Sequence, residues 1–144
     1  MRARLKTSKW ALTPHRFYEL YHLCLQYPEW VAEYGRILGT RGINYGSSTP
    51  QGPGHPTERD GIRRAYLRSR IDLIEQTAQE ADDQLYRYIL KAVTMDGVTY
   101  KYLMMHDGIP CSAGTFYDRR RKFYWLLDQK LSNNFDNQGT NTEL

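Results

Sequence analysis

Cysteine is scarce in this chain, and long apolar runs are absent. The two cysteines, Cys24 and Cys111, stand far apart with no CxxC pair and no Cys/His ladder. That excludes a disulfide framework and a zinc module, and both thiols are read as reduced. No run approaches the roughly 18 apolar residues that cross a bilayer, and Met1-Arg2-Ala3-Arg4-Leu5-Lys6 leads into no hydrophobic region. A soluble, intracellular protein is expected, with no membrane partner. Branched aliphatics and Phe are also thin: Leu, Ile, Val and Phe make up 29 of 144 residues, the lower edge of what folded domains use. A large enzyme core is therefore not expected.

What is present is aromatic and basic. Twelve Tyr and three Trp make up the apolar deficit, and such rings favour half-wet positions in thin helical layers. The net charge is +4 and the pI about 9.1, on a length that suits one modest domain.

Residues 1–12, with Arg2, Arg4, Lys6 and Lys9, show no helical period and are read as a flexible basic arm. Thr13-Pro14 then offers an N-cap followed by Pro at the first helical position. Phe17, Leu20, Tyr21, Cys24 and Leu25 follow as one apolar stripe, ended by Tyr27-Pro28. A second short helix is expected from Glu29 to Leu38, presenting Trp30 or Val31, Tyr34 and Leu38, which completes an N-terminal helix pair over 13–38. Residues 39–56 hold five Gly and three Pro and read as a loop.

A capping box at Thr57 and Asp60 opens a helical pattern predicted to run over 57–93. Leu67, Ile71, Ile74, Ala78, Ala81, Leu85, Tyr88 and Ala92 alternate at spacings of four and three, a heptad seam. A continuous rod of roughly 55 Å at 1.5 Å per residue needs a covering surface. Either the N-terminal helices fold back on it, or a second copy pairs through Leu67, Ile71, Ile74, Ala78, Ala81, Leu85 and Tyr88 to make a homodimer. Charge is polarised along it: +3 over 58–70, with five arginines, and −5 over 71–84.

Residues 94–131 have the parts of a helix-turn-helix. Asp96-Gly97 makes a turn, Thr99 caps a short helix and Leu103 faces inward. Gly108 permits the positive φ of a tight turn, Ile109 plugs the angle between the helices, and Ser112 or Cys111 starts the second helix. With Phe116 inward, Phe123 and Leu127 share its buried line and Leu131 its edge. Gly114, Asp118, Arg121 and Trp125 then face outward, flanked by Tyr117 and Lys122. A small N-terminal turn at Ser112, Gly114 and Thr115 allows close approach to DNA. Arg121 or Lys122 reaches guanine edges, while Arg119 and Arg120 reach phosphates. Tyr100 and Lys101 on the first helix complete the DNA-facing set. The remaining Ser132 to Leu144, rich in Asn, Thr and Gly, is expected to be disordered.

This stretch resembles the DNA-binding region 4 of sigma-70-type factors, with Gly97-Val98-Thr99-Tyr100, Gly108-Ile109-Pro110 and Gly114-Thr115-Phe116 at the characteristic places. Taken with Leu23-Cys24-Leu25-Gln26-Tyr27-Pro28-Glu29-Trp30, the Gly/Pro loop and the long helical pattern, the chain resembles phage late-gene transcriptional activators of the RinA and ArpU type. The likeness extends over residues 13–131 in element order and over the last forty of these in motif. It implies an all-α, sequence-specific DNA binder of a phage or prophage, acting at a promoter in the bacterial cytoplasm and touching host RNA polymerase.

Other chemistry has less to stand on. The acidic run Asp72, Glu75, Glu80, Asp82 and Asp83 reads as a solvated face rather than a metal site, and His15, His22, His55 and His106 lack ligand spacing. No nucleophile motif is present, so neither an enzyme nor a cofactor is expected. The alternative is a small-terminase-like DNA-packaging subunit, which also joins a helix-turn-helix to an oligomerising helical region.

Overall fold

The computed structural model describes residues 9–42 and 56–139 and is all-α, with no strand among them. Most of the loop expected over 39–56, the first eight residues of the arm and the last five of the tail lie outside the described residues. Helix α1 spans Pro14–Leu25, with Pro at its start and the Thr13 hydroxyl accepting from Arg16 N–H at 3.3 Å. Its stripe is as spaced: Leu20 and Cys24 are buried, and Phe17 packs beside them. Burial also pushes the Cys24 thiol well above its usual range. Helix α2 spans Tyr27–Gly42, longer at both ends than expected, and buries Trp30 while Val31 and Leu38 stay exposed. Pro28 does not delay its start, because an N–H at the second position has no helical partner to lose.

The single rod is not formed. Helix α3 ends at Ala81 and α4 begins at Tyr86 (Pro56–Ala81 and Tyr86–Thr94). The Asp82 carboxylate accepts from the N–H groups of Gln84 and Leu85, both at 2.9 Å, and these bonds compete with helix continuation. The seam nevertheless stays buried across the break. Leu67, Ile74 and Ala78 have no exposed surface, Ile71, Ala81, Leu85 and Ala92 little, and the half-buried Tyr88 packs against the same core, while its fully buried neighbour on α4, Ile89, lies off the predicted seam. Helices α2, α4 and α6 all touch α3. The stripe assigned to a second copy is thus covered within one chain.

Helix α5 (Tyr100–Tyr102) runs on as one π-helical turn (Leu103–Asp107), and α6 follows over Ala113–Gly139. The tail expected to be disordered from Ser132 continues α6, since no Gly or Pro stands between Thr115 and Gln138 to stop it. α6 runs antiparallel along α3: Arg119 meets Asp82 at 3.3 Å, and further on Lys130 reaches Thr77 and Glu80, each at 3.0 Å. α1 closes the other side, its Arg16 donating to Asp128 at 2.6 Å. α6 is therefore the hub, with Phe116, Phe123, Tyr124 and Leu127 buried among α1, α3, α4 and α5. No helix among the described residues is long and apolar enough to cross a membrane.

Candidate nucleic-acid interface

The hairpin from 95 to 116 is fixed by local chemistry at each corner. Gly97 has φ +81° in the turn after α4, which releases Val98 into the core. Thr99 then caps α5, its hydroxyl accepting from Tyr102 N–H at 3.2 Å. Leu103 is fully buried, and Gly108, at φ +62°, ends the π-turn in the left-handed region that favours glycine. Ile109 N–H donates back to Leu103 carbonyl at 3.3 Å while its side chain fills the angle between the helices. At the next corner Ser112 accepts from Thr115 N–H at 3.3 Å and opens α6. The spacing of Thr99, Leu103, Gly108, Ile109 and Ser112 predicted each of these roles.

The wide π-turn turns Met104 and Met105 outward, to 50% and 69% exposure. Asp107 is tied to α4 by Lys91 at 2.8 Å, a bond that raises the lysine pKa, and Lys91 also lies 5.2 Å from the Tyr102 ring. His106 stacks on that ring at 4.4 Å. The outward position of the two methionines escaped the sequence reading. Their signal was two adjacent apolar residues where a single amphipathic stripe has room for one.

The expected DNA-facing residues divide sharply. Lys101 on α5 is exposed, and so are Ser112, Gly114 and Thr115 at the start of α6. Tyr100 is not available, because its hydroxyl donates to Cys111 carbonyl at 2.6 Å and its ring packs on Phe116, which pins the turn instead. Residues 117–122 are half-buried rather than an open face. Arg119 is held by Asp82, with Asp118 at 3.7 Å on the same guanidinium, so it is taken from the phosphate role. Arg120 lies over the Tyr117 ring at 5.0 Å. The Nε of Arg121 is buried without a hydrogen-bond partner among the described residues. Lys122 stands 5.6 Å from the Trp10 ring.

The physical reason is that α6 is central, so neighbours cover or half-cover it from Phe116 to Leu131. Part of that cover comes from the lead. Trp10 packs on Trp125 with centroids 5.2 Å apart, and Lys9 sits 4.8 Å from the Trp10 ring. Residues 9–12 are thus docked, and the outward Trp125 gains its partner from a segment with no helical period to announce it.

Four residues of the acidic run make structural ties, while Asp83 stays exposed with no ion-pair partner among the described residues. Glu75 accepts from the Tyr27 hydroxyl at 2.7 Å, and burial, then this carboxylate, raise the tyrosine pKa. Asp72 pairs with Arg68, Glu80 with Lys130, and Asp82 with Arg119. Among the described residues no three His, Cys, Asp or Glu gather to hold a metal ion.

The chain has a capped hairpin that combines a helix start, small residues and hydroxyls with an exposed lysine, Lys101, that has no ion-pair partner among the described residues. Compared with protein-family models, with curated proteins and with solved structures, the chain matches none.

Proposed function

We propose that the chain is a sequence-specific duplex-DNA-binding transcriptional regulator that uses the 99–116 hairpin as a helix-turn-helix. The observation that supports this best is the hairpin itself. Thr99, Gly108, Ile109 and Ser112 fix both helices, and of the residues expected to face DNA, Lys101, Ser112, Gly114 and Thr115 stand open. The first N–H groups of α6 have no helical partner and attract phosphate, so Ser112 and the helix start seat the backbone. Thr115, one position into the groove-facing turn, is placed to read a base edge by its hydroxyl or methyl group. Lys101 supplies a phosphate contact from the first helix. The half-buried cations behind the tip, Arg120, Arg121 and Lys122, contribute field rather than base contacts. The likeness to phage late-gene activators makes a promoter, with host RNA polymerase beside it, the expected setting.

Selection from a randomised duplex library tests this, using the full chain at fixed salt with heparin as competitor. One enriched sequence is expected, and Thr115→Ala should relax the preference at one or two positions by about 1–3 kcal/mol while leaving others intact. Enrichment of no sequence over bulk DNA overturns the proposal.

A further inference from the structure

We infer that the N-terminal half of α3 carries a second nucleic-acid contact, a stripe that takes the phosphate backbone of a duplex at a place separate from the hairpin tip. At 100° per residue Arg59, Arg63 and Arg70 fall within a wedge of about 40°, flanked by Tyr66 and Ile62. The flanking side chains are open, Ile62 to 71% and Tyr66 to 45%. The guanidinium groups of Arg63 and Arg70 lie 5.1 and 5.5 Å from the Tyr66 ring centroid. Arg63 is also held by both oxygens of Glu33, at 2.8 and 2.9 Å. Arg59 and Arg70 have no carboxylate partner among the described residues, so they carry the uncompensated charge.

The charge pattern chooses the partner. Arg59 and Arg70 stand about 16 Å apart along the helix axis at 1.5 Å per residue. One acidic side chain does not span that distance, whereas duplex DNA presents a charge about every 1.7 Å of its length. The tip and the stripe are also distinct places. Arg119 of α6 meets α3 at Asp82, and the stripe begins about 18 Å and ends about 35 Å further along the same helix.

The inference rests on the nucleic-acid reading above, and salt dependence separates the two. With the full chain on a random-sequence duplex of about 30 base pairs, log K is measured against log salt concentration. Arg59→Gln/Arg70→Gln should lower the slope by about 2, since each phosphate contact contributes about 0.9. Arg87→Gln, which removes one charge from exposed α4 surface, should leave the slope unchanged. The preference for a selected sequence over random DNA should persist in the double variant, and its melting temperature should match the parent. An unchanged slope in the double variant overturns the stripe and hands it to an acidic protein partner. Equal loss per charge in Arg87→Gln overturns it as a mere effect of net charge. A parent chain that binds no duplex sinks both readings; one that binds with its slope untouched by the double variant sinks only this one.

Discussion

A methyl group added at Gly114 meets no atom within 4 Å, and the backbone there is ordinary helix. Gly114→Ala should therefore stabilise the free protein by about 0.4–1 kcal/mol, because alanine loses less conformational freedom on entering a helix. On the proposed function, the same methyl occupies the surface that the duplex would approach closely. Higher thermal stability with weaker DNA binding is the expected outcome, read by a melt and a binding titration on one sample. Undiminished affinity would mean that the duplex stays clear of this turn. Other single residues divide between legible and hidden roles. Thr99, Gly108 and Ser112 were legible because caps and positive φ depend on residue type and near neighbours alone. The fate of Arg119, Tyr100 and Trp125 was hidden. Each is decided by a partner on another element, Asp82, Cys111 and Trp10 respectively, and no local pattern encodes such a meeting.

At the scale of elements, the break between α3 and α4 is the clearest departure from periodic reasoning. A heptad pattern records which residues are buried, and Leu85 and Ala92 stay buried beyond Asp82 although the fully buried positions there shift to Ile89 and Val93, so the pattern hides a break in the chain. No Gly or Pro marks the junction, and the signal is only an Asp whose side chain replaces a helical bond. Asp82→Ala should cost about 0.5–2 kcal/mol, the usual range for a lost cap, with some addition from the released Arg119. Asp82→Asn keeps the accepting oxygen and should recover part of the loss. Urea midpoints of the two variants check this, and equal stability of Asp82→Ala and the parent would remove the junction from the list of structural determinants. The ends of α2 and α6 were missed for a related reason. Composition marks where polar residues gather, yet a helix stops only where something competes with its next hydrogen bond.

For the molecule as a whole, the fold class was legible and the assignment of the seam was not, because one chain's helices and a second copy bury the same stripe equally well. The structure spends the stripe internally. Leu85→Asp places an unpaired carboxylate in that core, so loss of several kcal/mol and of cooperative unfolding is expected, rather than dissociation of a dimer into folded halves. Circular dichroism with light scattering distinguishes the two. A folded variant at the parent melting temperature, with half the parent mass, would return the seam to an interface between copies.

The ion pair of Arg16 with Asp128 joins positions 112 apart in sequence, and the Trp10–Trp125 contact closes nearby. Helix α1 thus completes its packing only when α6 exists, its other main contacts being with α2 and α4. On a ribosome adding about 5–20 residues per second, α1 waits roughly 6–22 s for that surface to be made. Until then Phe17 lacks its partner Tyr124, and part of the aromatic side of α1 stays uncovered on the nascent chain.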